Sequence, residues 1–436
     1  MKQNVVIIGA GIGGLATGAL LGKMGYRVTI LEKETTIGGY SKELKLRGYS
    51  FSMGPMLYLM PDAFERYFSL FKKKPETLFR FKKIDPQCRF FFSQSEWVDL
   101  HSKPRSSKKI RELMDQAESQ YDIVADEILY NHNQGLLNLL NPSTLSELSK
   151  LPMMGSMEKY VLRSAKTERL KNNLLYLFPL LGLDPKQVPP YYFSLLYKDL
   201  HDGLRYPTGG MHVIVSALER LCKQHGVTIK TGTEVEHMRV ERGRVKQVVT
   251  SSRMYDCDIV ISNANYAFTE FTLLDNRYRN YDMNYWKKKT SGTITTVLHM
   301  GITGKLKTLK HVNIIDNSMY VLCPTKTDPP LAPKGDECLS IIALNGMDAD
   351  AMVAKLEAMT GEAIKKRIKI KKCITYPGSA MGPRISGLRA SLLRPSNKSK
   401  KVKNLYFVGQ HTSPGAGVPL CLISSQLVAE RIRREQ

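Results

Sequence analysis

The sequence predicts an α/β fold, and three observations carry that expectation. Val5–Ile8 is an unbroken apolar run that leads into the glycine-rich stretch GAGIGG and then a helix-like segment. Arg27–Leu31 is a second apolar run, closed by the acidic Glu32. A third strand-like run, Asn404–Val408, leads into another glycine-rich loop, GQHTSPGAGVP, close to the end of the chain.

Each element has a physical reading. A continuous apolar run suits a strand buried on both faces, as in a parallel sheet. Gly9, Gly11 and Gly14 fill the pattern G-x-G-x-x-G, with Ile12 and Gly13 between them. In that pattern the first glycine makes the tight turn, the second opens room for a pyrophosphate, and the third lets helix and sheet pack closely. Leu15–Met24 supplies the helix, whose leading N–H groups favour phosphate charge. Glu32, followed by Lys33, ends the second strand, where a carboxylate can accept from the hydroxyls of an adenosine ribose. The context of strand, helix and acidic strand end makes this a Rossmann-type dinucleotide site, without separating a nicotinamide from a flavin cofactor. A second glycine pair, Gly38-Gly39, follows six residues after Glu32 and offers backbone to the same pyrophosphate.

Composition bounds the rest. With 436 residues and 42% hydrophobic residues, the chain is globular and long enough for two or three domains. The formal net charge of +24 suits an anionic partner. It gathers at Lys72–Lys74, Lys287–Lys289, residues 365–372, and Lys398 with Lys400, Lys401 and Lys403. These clusters read as an anionic membrane surface rather than nucleic acid, because no nucleic-acid module accompanies them. Seven scattered cysteines, none in a C-x-x-C pair, indicate neither a disulfide framework nor a zinc site, and suit a reducing cytoplasm. No metal-ligand constellation is expected. The N-terminal apolar run is broken by glycines and carries Lys23, and no other stretch is long and apolar enough to span a membrane.

The resemblance to a known family enters on longer stretches. Gly38-Gly39 after the acidic strand end resembles the flavin oxidoreductases of the amine-oxidase and phytoene-desaturase superfamily. Residues 48–68, GYSFSMGPMLYLMPDAFERYF, are similar to bacterial carotenoid desaturases, as are residues 175–221 with their turn Tyr206-Pro207-Thr208-Gly209-Gly210-Met211. The stretch TEVEHMRVERGRVKQVVTSSRMYDCDIVISNAN and the C-terminal LLRPSNKSKKVKNLYFVGQHTSPGAGVPLCLISSQLVAERI complete the likeness, which covers most of the chain.

That resemblance implies FAD. It implies a discontinuous FAD-binding domain from residues 1–70, 205–270 and 385–436. A mixed-sheet substrate domain takes residues 71–105 and 271–384, and a helical, membrane-associating lid takes residues 106–204. The cofactor contacts it implies are Gly9, Gly11, Ile12, Gly13, Gly14, Glu32, Lys33, Gly38, Gly39, Tyr40, Gly54, Pro55, Val235 and Asn263 near the adenosine and pyrophosphate. Gly409, Gln410, Gly415, Ala416, Gly417 and Val418 would close on the ribityl chain and ring. The helix after Pro419 would aim its N-terminus at the N1–C2=O edge of the flavin. The implied reaction is dehydrogenation of a carotenoid-type polyisoprenoid, with hydride passing to flavin N5 and electrons then going to a quinone or oxygen. Two alternatives stand beside it: a related isomerase, oxygenase or saturase, and a membrane flavoprotein that binds isoprenoid without turnover. Two departures from the family bear on these. Tyr40 stands where the family carries Arg, which implies either a weaker FAD site or compensation by Lys42 or Arg47. The chain is also shorter in its substrate half, between LKHVNII and MYVLCP and after KKCITYP.

Other expectations are local. Residues 106–130 predict an amphipathic helix through Ile110, Leu113, Met114, Ala117, Tyr121, Val124, Ala125 and Ile128. Residues 134–160, broken at Pro142 and Pro152, read either as a pair of helices that dips into lipid or as a lid over the core. His311, His411, Asp184 and Asp199 are the titratable candidates near the chemistry, and no catalytic acid or base is assigned among them. A peripheral membrane protein of the cytoplasm is expected.

Overall fold

The computed structural model describes residues 2–102, 107–131, 141–290, 295–343, 346–376, 387 and 394–435. Five strands form a parallel sheet: β1 (Asn4–Ile8), β2 (Arg27–Leu31), β3 (Thr228–Lys230), β4 (Ile259–Ser262) and β5 (Leu405–Phe407), in the order β5-β4-β1-β2-β3. Chain segments almost 400 residues apart therefore share one sheet. Val5 pairs with Val28 on one side and Ile259 on the other.

Both faces of this sheet are covered, which is why β1 has no polar alternation. Val5 and Ile7 face α1 (Ile12–Lys23), α2 (His212–Gln224) and α3 (Val418–Glu435). Val6 and Ile8 face the opposite way, into a cluster with Met238, Val245 and Val248 of an antiparallel meander, strands Val235–Glu241, Arg244–Thr250 and Met254–Asp256. Leu273, Leu274 and Trp286 join that second cluster. Helix α1 is buried from Ile12 to Leu21, because it lies between the sheet and two other helices. Its small residues permit this: a Cβ on Gly18 would lie 2.8 Å from Ile30 Cδ1.

A second, seven-stranded sheet runs in the order 368–376, 295–302, 337–343, 319–322, 312–315, 88–91 and 97–100. It is antiparallel except where residues 312–315 lie parallel to 88–91. One face packs on the helix Ala349–Thr360, through Met352 and Leu356. The other meets the helical segments of residues 108–202, through Val312, Ile314, Tyr320 and Leu322. Short ladders pair 43–46 with 49–52 and 81–83 with 205–207.

The helix expected over residues 106–130 is an α-helix at Lys108–Ile123 that widens into a π-helical turn at Val124–Leu129. Ile110, Leu113, Ala117, Tyr121, Val124 and Ala125 are all buried on its core face. Pro142 stands at an element boundary, as the start of a helix. It occupies the first turn of Pro142–Ser149, where its missing N–H costs nothing, and Asn141 Oδ1 caps it by accepting from Ser143 N at 3.2 Å. Residues 134–140 of the proposed lipid-dipping pair, and most of the stretch after KKCITYP, lie outside the described residues. No described helix is long and apolar enough to cross a membrane.

Candidate functional site

Gly9 ends β1 with φ of 95°, a left-handed turn that only glycine adopts without strain, and its N–H donates to Leu31 O at 2.7 Å. The chain then enters α1 with Ile12 as its first residue. The remaining glycines are spacing requirements. A Cβ on Gly14 would lie 2.1 Å from Gly9 O, so only glycine lets α1 start this close to the turn.

Asn263, the residue after β4, stands at the centre. Its backbone N–H donates to Ile8 O at 2.9 Å and its Nδ2 to Gly9 O at 3.4 Å. A Cβ would come within 2.7 Å of its amide at Gly11, 2.6 Å at Gly13 and 2.8 Å at Gly409. One side chain thus touches the first glycine loop and the last. A Cβ on Gly13 would also lie 3.1 Å from Gly409 N, so the two loops approach within the space of one side-chain carbon.

The second glycine pair completes the cradle. Gly38 N donates to Ala10 O at 2.8 Å, and Gly38 forms a parallel bridge with Gly11. A Cβ on Gly39 would be 3.4 Å from Gly11 Cα. Gly38 also abuts Val215 of α2. Such side-chain-free walls, lined by N–H groups at a helix start, match the needs of a pyrophosphate.

Glu32 is buried, and its carboxylate accepts from Ala10 N at 2.7 Å and Glu34 N at 3.0 Å. Each oxygen keeps a further lone pair, so a ribose hydroxyl remains within its capacity. Lys33 is exposed. Val235 is buried beside Leu31 and Ile8. Tyr40 is half exposed, its ring edge-on to Tyr376 at 5.8 Å, and Tyr376 donates from its hydroxyl to Met53 O at 2.7 Å. Gly54 backs onto Tyr40, where a Cβ would be 2.4 Å from the Tyr40 carbonyl, and the half-buried Pro55 follows. Arg47 is exposed at the tip of the 43–52 hairpin.

The C-terminal loop is tied down by side chains that sequence reasoning left unassigned. Ser424 Oγ of α3 accepts from Gly409 N at 3.2 Å. Asn397 Nδ2 reaches Phe407 O, Ser413 O and Ser424 Oγ at 3.0–3.2 Å. Pro395 O accepts from Thr412 Oγ1 at 2.7 Å. The Arg394 guanidinium lies against Gly415: a Cβ there would be 2.8 Å from its Cζ. Gln410 and His411 approach each other at 3.4 Å, and Asn265 Nδ2 is 3.3 Å from His411 Nε2. Burial pushes the His411 imidazole down to about 4, so it is neutral. Ala416 and Gly417 are half buried, and Val418 opens the 18-residue helix α3.

The other titratable candidates have partners outside these loops. His311 is buried against the Tyr206 ring at 4.7 Å, with Nδ1 2.7 Å from Thr327 Oγ1, and burial pushes it down to about 3. Asp184 is exposed and caps its own turn through Lys186 N. Asp199 is buried, accepts from Met60 N at 2.9 Å, and is pushed up to about 7 by burial. Among the described residues no group of His, Cys, Asp and Glu could hold a metal ion.

Comparison with known proteins agrees with this geometry. Residues 12–289 match the family of flavin containing amine oxidoreductases. The chain is 30% identical to a carotenoid 3,4-desaturase from Haloarcula japonica, covering 99% of this chain and 98% of that one. It is 27% identical to a zeta-carotene-forming phytoene desaturase from Myxococcus xanthus, covering 99% and 94%. An oxidoreductase from Methanosarcina mazei shares the fold with a TM-score of 0.67 at 20% identity, covering 98% and 100%.

Proposed function

On the premise that the chain belongs to the flavin containing amine oxidoreductase family and is an FAD-dependent oxidoreductase, we propose that it desaturates a carotenoid-type polyisoprenoid. The observation that carries this reading is the meeting of the first and last glycine loops at Asn263. FAD would be held across such a junction, its pyrophosphate by the first glycine loop and its ring end by the last. When bound, it supplies hydride acceptance at N5 as a CH₂–CH₂ unit becomes a double bond, the second hydrogen leaving as a proton.

The chain's own residues hold and orient. Gly11, Gly13, Gly38 and Gly39 admit the pyrophosphate, Gly14 lets α1 start beside it, and Glu32 and Val235 take the adenosine end. Gly409, Gln410, Gly415, Ala416 and Gly417 present backbone to the ribityl chain and ring. The three-part FAD domain and the lid division set out above belong to this proposal. So does the electron acceptor, a quinone or oxygen. A hydrocarbon offers few polar handles, so positioning and exclusion of water contribute most to rate.

Delivery of such a substrate requires lipid. Leu145 and Met154, 57% and 83% exposed, lie in the helical segment proposed to meet the membrane. Basic clusters support attraction to anionic lipid, at about 1 kcal/mol per well-placed cation. Some of that charge is spent internally: Arg367, Lys369 and Lys398 pair with Glu362, Asp336 and Glu435. The test is product analysis after incubation with phytoene in phosphatidylglycerol liposomes and a benzoquinone. New conjugated double bonds support the proposal. Isomerised or oxygenated product without added unsaturation moves the reading to the related activities. Flotation with the same liposomes, lost at high salt, tests the membrane surface.

A further inference from the structure

Arg394 raises a separate question. Its Nε is buried without a hydrogen-bond partner, although a guanidinium N–H is costly to strip of water and leave unpaired. It takes part in none of the ion pairs among the described residues. Its position is nevertheless held. The next residue, Pro395, is anchored to the C-terminal loop by Thr412 Oγ1 and Ser413 N, at 2.7 and 3.3 Å. The guanidinium packs flat enough on Gly415 that a Cβ would lie 2.8 Å from Cζ and 2.9 Å from both Nη atoms. Gly415 therefore makes room for the cation.

A charged donor kept at a glycine loop needs an acceptor there. A hydrocarbon substrate has none. The pyrimidine edge of a flavin has carbonyl oxygens and gathers negative charge on reduction. We infer that Arg394 contacts that edge and raises the reduction potential of the bound flavin, together with the start of α3. This places a cation on the last glycine loop, while Tyr40 occupies the position after Gly38-Gly39. A cation beside the acceptor opposes no charge on the flavin side, whereas the positive charge of hydride loss develops on the substrate. The inference rests on the FAD assignment and on the C-terminal loop meeting the ring.

The test uses the holoprotein and sulfite, which adds its electron pair to flavin N5 and leaves negative charge on the same edge. Arg394→Met, still carrying FAD, is expected to bind sulfite about tenfold more weakly, equivalent to about 30 mV for a two-electron couple. Dye-coupled titration is expected to show its potential lowered in step, and Arg394→Lys is expected to stay within about threefold of wild type. Wild-type affinity and potential in both variants would overturn the inference, as would equal losses in both, which mean shape rather than charge. If Arg394→Met is isolated without FAD, an Arg394→Lys holoprotein within threefold of wild type supports the inference, and loss of FAD from both overturns it. A wild-type protein that takes up no FAD overturns the cofactor assignment itself, and this inference with it.

Discussion

Replacing Asp199 by Asn tests how the helical segment is joined to the chain before helix Pro61–Ser69. Asp199 is 3% exposed and accepts the N–H of Met60, which holds a left-handed φ of 54°. Burial pushes its carboxyl from 3.8 up to about 7, with Asp62 and Asp202 adding in the same direction and Arg205 and the Met60 N–H opposing. The folded protein thus holds a proton that the unfolded chain has lost between those values. Stability from this site falls as pH rises from about 4 and the cost is complete above about 7. At about 1.36 kcal/mol per pH unit, that interval is worth about 4 kcal/mol as an upper figure. Asn keeps the shape and the acceptor for Met60 N but carries no charge. The variant is expected to match wild type near pH 3.5 and to exceed it at pH 8. With an unfolding entropy of about 2.1 cal/mol/K per residue, the gain is about 4 °C in Tm. Paired thermal melts at the two pH values read this directly. A variant less stable at pH 8, or a difference that ignores pH, would refute the reasoning.

Other perturbations follow from the same geometry. Gly14→Ala puts a Cβ 2.1 Å from Gly9 O, a backbone atom that cannot rotate away, and is expected to cost about 1–3 kcal/mol and to abolish FAD retention; a holoprotein of wild-type stability would contradict it. Asn263→Ala removes the amide shared by the two glycine loops and is expected to weaken FAD binding at least about tenfold, the equivalent of one lost hydrogen bond. Flavin fluorescence titration measures this, and unchanged affinity would remove Asn263 from the cradle. His311→Gln is expected to leave the pH profile of turnover unchanged between pH 5 and 9, because burial already keeps His311 neutral there. Loss of an ionisation from that profile would make His311 a catalytic group.

What the sequence disclosed depended on how local each signal is. The turn at Gly9 and the close start of α1 at Gly14 are backbone requirements, and only glycine meets them, so they were legible in G-x-G-x-x-G. The strand at Leu405–Phe407 was legible as an apolar run and its return to the FAD domain came from family resemblance, but its place beside β4 was not legible, since no local pattern encodes a partner 140 residues away. Pro142 was legible as a boundary but not as a helix start, because proline is both a helix breaker and a good first-turn residue, and only the Asn141 cap decides. Burial was the least legible property. Asp184 and Asp199 lie fifteen residues apart in one family-like stretch, yet one is exposed and the other 3% exposed. Arg394 stood in the quoted C-terminal signature without a role, because an unpartnered Nε exists only once the fold has closed around it.

The measurement that bears most directly on the central claim is an anaerobic absorbance spectrum of the FAD-loaded protein, before and after phytoene is added in liposomes. Desaturation predicts that the oxidised flavin bands bleach while conjugated polyene bands rise in step. Flavin that stays oxidised while the polyene is unchanged or merely isomerised would contradict it.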